Sequence, residues 1–456
     1  MQSILAIALI SIRNAIRSKL VIVLLFFLLI TLAGLPLTLR GDGTAAGHVR
    51  LMLRYTLGLS TLILSIATVW TSCAAISTEI RDRQIQMLMS KPVHAAQLWL
   101  GKWLGLTAMN AVLLFLCASV TYGALLWTTR PGQLTEEERT ELTEEILLAQ
   151  RPLTPISVPM QNEIRQAYLD SRQRGEWPEE VTTSQIMPII ERRVRARIHS
   201  VAPGSFNRWT FRTPRLTAPD RPLLLRYRIG ASTLDLEPIQ GQWQIGPPGS
   251  GTRESYPVSA TPRTWQSLLI PADLINSDNQ LTIEFANTHA RPVTLIFEPE
   301  DDLRLLVYQG SFLPNYARAI LLILLHLGFL AAIGITAGAW FSIPVAAMFS
   351  FYMLLLLQAG RFIGQIATRE VHVAQSPSAN WLTEVIATGT YWIYALVNLV
   401  IQPVYAINPL EPVSAGEWIS WAEVGTMLVI RIFVYSGLLM LIGVWHLRRK
   451  EVALPL

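Results

Sequence analysis

Long apolar runs form two blocks in the sequence, one towards each end of the chain. They cover residues 20–38, 51–77, 99–127, 314–340, 343–367 and 424–446. Each run is long enough to cross a bilayer as a helix, because about 20 apolar residues span about 30 Å of hydrocarbon. A shorter apolar stretch at 383–406 contains Glu384, Asn398 and Pro403, and we expect it to re-enter the membrane or lie at its surface. The pattern predicts an α-helical polytopic membrane protein with six transmembrane helices.

Residues 129–312 separate the two blocks and have the pattern of a soluble α+β domain. From 134 to 198 the sequence is charged and helical in character, with Pro-rich breaks around 152–159. From 205 to 308 short β-type runs alternate with Gly, Pro, Asn and Asp clusters. These runs lie at 209–212, 223–229, 242–245, 265–270, 281–285, 293–297 and 303–308. The segment 267–285 resembles the closing hairpins of galactose-binding-like jelly rolls, so we expect 205–308 to form a jelly-roll-like β-sandwich.

The lysines predict the orientation of the chain in the membrane, because Lys and Arg of short loops stay on the cytoplasmic side. The sequence has four lysines, Lys19, Lys91, Lys102 and Lys450. With six spans and an inside amino terminus, all four are cytoplasmic. We therefore expect residues 1–128 to hold an interfacial helix and three spans, 129–312 to lie outside the membrane, and 313–456 to hold three further spans. Both termini are then cytoplasmic.

Composition narrows the class of protein further. The chain is 51% hydrophobic and 15% charged, so lipid must solvate part of it. The first apolar run is too long for the core of a cleavable signal peptide and should remain as an anchor. The two cysteines, Cys73 and Cys117, both fall in predicted spans, which leaves the outer domain without a disulfide. The basic pI near 9.3 does not indicate nucleic-acid binding, because no basic stripe with interleaved aromatic residues occurs.

The sequence lacks the motifs of an ATPase, a hydrolase or a metal enzyme. No phosphate-binding loop or nucleophile elbow is present, and the seven histidines have no metal-ligand spacing. An acidic cluster at Glu298, Glu300, Asp301 and Asp302 could hold Ca²⁺ or could be a solvated turn between strands. Since regular ligand spacing is missing there, we predict no metal site and no cofactor on this chain.

Polar side chains inside the predicted spans are candidates for lining a pathway, because polar groups in hydrocarbon are costly. These residues are Asn110, His326, Gln358 and Asn398. Hydrogen bonding between helices is an equal alternative for the amides.

Two amphipathic segments lie on the predicted cytoplasmic side. Residues 1–18 carry apolar and basic faces, which suits a helix lying in the interface or an extension of the first span. Residues 79–92 read as a short amphipathic helix that ends before Pro92.

The inner segments resemble those of the type-two (ABC-2) exporter permeases. The likeness consists of Glu79, the turn Lys91-Pro92-Val93, the helix start LGKWLG at 100–105, and a basic close at 445–452 similar to the multicopper-enzyme-maturation branch. The chain departs from that family at Arg83-Gln84, where Gly-Thr is common, and in the long insertion between its third and fourth spans.

The resemblance implies a transport subunit and not an enzyme. In that family two permeases pair in the bacterial cytoplasmic (inner) membrane, and separate ATPases, which carry ATP and Mg²⁺, dock on the inner loops. It assigns ATPase coupling to Glu79, Arg81, Asp82, Arg83, Lys91, Pro92, Gly101 and Lys102. The outer domain could take a periplasmic protein or a glycan as partner. A second class stays open: a membrane-anchored binding or mechanotransmission protein whose outer domain is moved without solute transport. A third class, a membrane transferase, is disfavoured because no acidic or histidine residues cluster at a membrane face.

Overall fold

The structure of the chain is a computed structural model. It describes residues 2–38, 44–82, 94–130, 132, 134–156, 160–178, 183–214, 216, 218, 221–232, 237–246, 253–276, 278–298, 302–373, 389, 392 and 409–449. The described chain divides into two compact units, a helical unit made of Met1–Leu147 and Ser311–Leu456, and an inserted unit made of Leu148–Gly310.

The helical unit consists of helices that are mostly longer than the apolar runs that predict them. Their bounds are α1 Gln2–Ile16, α2 Lys19–Thr38, α3 Ala45–Arg81, α4 Ala95–Thr128, α5 Glu136–Glu145, α8 Phe312–Trp340, α9 Ile343–Val373, α10 Leu410–Ser414, α11 Trp421–Met427, a π-helix Leu428–Ser436 and α12 Gly437–Arg449. The inserted unit supplies α6 Met160–Gln173 and α7 Thr183–His199.

Four helices of the described residues are long and apolar enough to cross a membrane: α3, α4, α8 and the continuous helix Trp421–Arg449. Helix α1 and the part Val21–Leu32 of α2 meet the same criterion together, as a pair bent by 70°. The shorter apolar part of α9 covers Ile343–Gln358. The chain is therefore a polytopic helical membrane protein with a separate β-rich unit, as its sequence predicts. The predicted re-entrant segment 383–406 lies outside the described residues apart from positions 389 and 392.

Helix α5 belongs to the helical unit, although its sequence is charged. It begins at a capping box in which Thr135 and Glu138 bond each other's backbone N–H groups, an arrangement that satisfies free donors at a helix start. Leu142 and Ile146 are buried in the same cluster as residues of α3 and α8. The division between the units thus falls at Leu147, whereas the sequence places the start of the outer domain at 129.

The inserted unit is built mainly from antiparallel sheets. Its strands are β1 Leu148–Leu153, β2 Ser200–Val201, β3 Phe206–Arg212, β4 Leu223–Arg228, β5 Gly230–Ala231, β6 Ile239–Ile245, β7 Glu254–Ala260, β8 Trp265–Ile270, β9 Gln280–Asn287, β10 Leu295–Ile296 and β11 Leu303–Ser311. They form sheets in the orders β1-β11-β4-β8, β3-β9-β6-β7 and β2-β10-β5. Alternate side chains of the two larger sheets share one buried core, so these sheets pack face to face.

Aromatic rings fill the centre of that core. Trp243 is fully buried and contacts Phe285 edge to face, with the ring centroids 4.7 Å apart. Tyr227 packs against the same indole at 5.1 Å, and burial raises the pKa of its phenol to about 12. At the edge of the core Asp302 accepts a hydrogen bond from the N–H of Glu298 and pairs with Arg228 at 2.6 Å. Asp302 of the acidic cluster is therefore bonded within the protein, while Glu300 and Asp301 lie outside the described residues.

Candidate functional site

The candidate coupling site lies where α3 ends and α4 begins. Helix α3 continues to Arg81, so Glu79 and Arg81 sit in its last turn and not in a separate short helix. Helix α4 starts at Ala95, where the Gln97 side chain accepts a hydrogen bond from the N–H of His94. The predicted coupling residues Arg83, Lys91 and Pro92 lie between these ends, outside the described residues.

A buried ion pair joins the two helix ends. Lys102 Nζ donates to Glu79 Oε1 at 2.6 Å and to the carbonyl oxygen of Ala75 at 2.7 Å. Both side chains are buried, so the pair is shielded from solvent and its geometry must be close to ideal to offset desolvation. Glu79 is thus engaged inside the helical unit and is not displayed as a surface charge. Its second oxygen, Oε2, is buried without a hydrogen-bond partner among the described residues.

Two glycines let α1 touch the backbone of α4 at this same end. A Cβ at Gly101 would lie 2.8 Å from the Ile7 side chain, and one at Gly105 would lie 2.5 Å from the carbonyl oxygen of Ala8. Neither position has room for a side chain. The two glycines of the LGKWLG segment are four residues apart and therefore share one face of α4, and α1 packs against that face.

Helix α8 is held to α3 by a second close contact. Ser77 Oγ donates to the carbonyl oxygens of Gly338 at 2.7 Å and Phe341 at 3.1 Å. A Cβ at Gly338 would approach the carbonyl oxygen of Cys73 to 2.5 Å. The last turns of α3 and α8 are thus fixed to each other through backbone atoms.

A hydrogen-bond relay links α4 to α8 and α12. Trp99 Nε1 donates to Thr336 Oγ1 at 3.3 Å, and Thr336 Oγ1 donates to the carbonyl oxygen of Leu439 at 3.1 Å. Together with the glycine contacts, this relay makes the region around Lys102 a common anchor for α1, α3, α4, α8 and α12.

Arg81 and Asp82 are the exposed charges of the site. Their side chains keep 67% and 46% of their accessible surface and pair with each other at 3.0 Å. An exposed pair of this kind adds little to stability, with a typical value of about 0 to 1 kcal/mol. Both groups are consequently free to exchange partners with another surface at little cost.

The predicted pathway residues fall in different surroundings. Asn110 is completely buried on α4 and His326 lies on α8, where Arg431 is near enough to act on it electrostatically. Gln358 is exposed on α9. Asn398 lies outside the described residues.

Arg431 is a buried intramembrane charge that the sequence interpretation missed. It lies in the π-helix with 3% of its surface exposed, and its Nη1 donates to the carbonyl oxygen of Leu322 at 3.3 Å. Ser436 Oγ donates to the carbonyl oxygen of Arg431 at 2.7 Å. π-Helical turns within α-helices often occur at functional positions. An arginine inside the apolar run 424–446 was the available signal, since ionisable residues in spans usually face a protein interior.

No protein-family model, curated protein or solved structure matches the chain.

Proposed function

We propose that this chain is the membrane-spanning permease subunit of an ATP-driven ABC exporter and that it is coupled to a separate ATPase through the connection between α3 and α4. The Glu79–Lys102 ion pair is the observation that supports this best. It ties the two ends of the connection together, so a force applied to residues 83–93 enters both helices at once. Without such an ion pair, the connection could move while α3 and α4 stay in place.

The contacts around the Glu79–Lys102 ion pair would transmit a movement of the α3–α4 connection to other helices of the helical unit. Helix α1 follows α4 through the Gly101 and Gly105 contacts, and α8 follows α3 through Ser77. Closure of an ATPase pair would then shift these helices as one body, in the manner of rigid-element switching. Arg81 and Asp82 provide exposed charges for the ATPase surface, and Arg83, Lys91 and Pro92 complete it in this proposal. ATP and Mg²⁺ belong to the ATPase.

The membrane arrangement proposed here has six spans, with α2 as the first and α9 as the fifth. Both termini are then cytoplasmic, and the inserted unit lies outside a bacterial inner membrane. A second permease, identical or homologous, completes the transporter, and a glycan or a periplasmic protein is the proposed partner of the inserted unit. Asn110, His326, Gln358 and Asn398 remain the proposed pathway residues.

A second candidate function is mechanotransmission without solute transport. The compactness of Leu148–Gly310, which has its own aromatic core, favours a unit that could be moved as a whole. Solute flux separates the two functions, because only the exporter carries cargo across the bilayer while ATP is hydrolysed.

The decisive test replaces both residues of the Glu79–Lys102 ion pair by apolar residues, so that no unpaired charge remains buried. The double variant Glu79→Leu/Lys102→Met removes both charges together, and such apolar replacements of buried pairs are often neutral for folding. We expect it to insert, fold and retain the ATPase on co-purification, but to lose most permease-stimulated hydrolysis in nanodiscs. Either single substitution should also destabilise the protein, by about 3 to 5 kcal/mol, because it leaves one buried charge uncompensated.

Arg50 and Glu145 provide the matched control, since they form an ion pair elsewhere in the helical unit. The double variant Arg50→Met/Glu145→Leu, which likewise removes both charges, should leave stimulated hydrolysis unchanged. Full stimulation in the Glu79→Leu/Lys102→Met variant would remove the main support for the coupling role.

A further inference from the structure

Asn110 presents an unsatisfied amide deep in the helical unit. It lies near the middle of α4, its exposed fraction is 0%, and neither Nδ2 nor Oδ1 has a hydrogen-bond partner among the described residues. Buried polar groups are nearly always bonded to protein or to ordered water, because a bond left unmade costs the full desolvation of the group. Since no described residue completes these bonds, a bound group is expected to do so.

Thr107 extends the same polar surface by one helical turn. Residues three apart share a helix face, and the buried Thr107 Oγ1 also has no partner among the described residues. Its Cγ2 lies 3.7 Å from where a Cβ of Gly328 on α8 would be, so Thr107 faces a position without a side chain. The neighbouring indole of Trp103 does not supply the missing hydrogen bonds, because its Nε1 donates to the carbonyl oxygen of Gly328 at 2.8 Å.

The three unsatisfied atoms define the chemistry of the missing group. Nδ2 of Asn110 donates, Oδ1 accepts, and the Thr107 hydroxyl does either. None of the three carries a charge, so they cannot compensate the desolvation of an ion. A hydroxyl group both donates and accepts, and a buried water typically makes about three hydrogen bonds.

We propose that Asn110 and Thr107 form an internal binding site for a hydroxyl group, supplied by water or by a neutral hydroxylated solute. Occupancy by water is independent of the proposed transport function. Occupancy by a solute rests on that function, because it requires the site to lie on the cargo route.

In-situ hydroxyl-radical footprinting of the full chain in nanodiscs tests the site, because radicals made from a bound water oxidise the side chains beside it. Leu114 lies one turn beyond Asn110, and Leu330 is an equally buried leucine in a separate apolar cluster of α8. We expect several-fold more oxidation at Leu114 than at Leu330 in the wild type. In Asn110→Leu this difference should disappear.

Addition of glycerol distinguishes the two sources of the hydroxyl. Because glycerol also scavenges radicals, oxidation of Leu114 is compared with that of the exposed Leu169. A ratio that glycerol leaves unchanged or raises identifies water as the occupant, and a ratio that glycerol lowers identifies a site open to hydroxylated solutes. Leu114 oxidised no more than Leu330 in the wild type would overturn the proposal. A higher melting temperature of Asn110→Leu would overturn it too, since removing a dry, unsatisfied amide should stabilise the fold whereas removing a hydrated one should not.

Discussion

Arg50 and Glu145 form an ion pair inside the helical unit, with Nη2 3.1 Å from Oε2 although 95 positions separate them in the sequence. The pair attaches α5 to the start of α3. It marks the point at which the chain leaves the helical unit, just before β1.

The first prediction concerns the inserted unit as a fragment. Residues 148–310 should fold alone into a soluble, disulfide-free α+β domain, because their aromatic core is contained within the fragment. A fragment that starts at 129 should aggregate more readily, since Leu142 and Ile146 would lose their cover in the helical unit. Circular dichroism and size-exclusion chromatography check both fragments, and equal solubility of the two would contradict the assignment of α5.

The second prediction concerns the packing of α1 against α4. Gly105→Ala should lower the melting temperature, because the new Cβ would meet the backbone of Ala8 at 2.5 Å and the helices would have to separate. Gly123→Ala on the same helix has nothing within 4 Å, and it should stabilise the protein by roughly 0.5 to 1 kcal/mol through the better helix propensity of alanine. Thermal melts in detergent compare the two variants, and a loss of the same size in both would argue against a steric cause.

The third prediction concerns the proposed orientation in the membrane. An amine-reactive reagent that cannot cross the bilayer should leave every lysine side chain of intact cells unlabelled. Lys19 is the informative position, because it is exposed at the start of α2, whereas Lys102 is buried and reacts from neither side. Permeabilised cells should label Lys19 in parallel. Labelling of Lys19 before permeabilisation would invert the proposed map.

The fourth prediction concerns the alkaline stability of the inserted unit. The ordinary Tyr pKa of 10.0 is raised to about 12 in folded Tyr227 by burial. Below pH 10 the phenol is neutral in both states and its contribution is intact. Between about pH 10 and 12 the unfolded chain ionises first, so on the order of 2 to 3 kcal/mol of stability is lost as pH rises. Urea unfolding of fragment 148–310 across this range measures the loss.

Tyr227→Phe is the matched control for that measurement. It keeps the ring against Trp243 and removes the ionisable group, so the alkaline loss should become shallower. The same slope in both proteins would place the alkaline sensitivity elsewhere, for example at Tyr256, whose pKa burial also raises to about 12.

The local pattern of the inserted unit was largely predictable, and its pairing was not. Seven β-type runs correspond to strands, because alternating side chains reveal a strand with one buried face. Strand β7 was missed because Pro257 and polar residues interrupt it. It lies at the edge of its sheet, where a proline costs no ladder bond. No local signal indicates that β1 joins β11 across the whole insertion.

The candidate site shows the same division between local and long-range information. Glu79 and Lys102 are both candidates in the sequence, but the apolar run ends at 77 and places Glu79 in a separate amphipathic segment beyond the span. Helix α3 continues to Arg81, which turns Glu79 inward, and the partner comes from the next helix. Such a pairing depends on how two helices dock, which composition and periodicity do not encode.

The packing of α1 against α4 also constrains the order in which the helices assemble during synthesis. The contact between Ala8 and Gly105 requires a residue that leaves the ribosome long after α1 itself. At a synthesis rate of about 5 to 20 residues per second, α1 waits on the order of 5 to 20 seconds for α4. During that interval the apolar face of α1 needs another apolar environment, and the surface of the bilayer provides one. Helix α1 thus reaches its final position only after α4 has been translated.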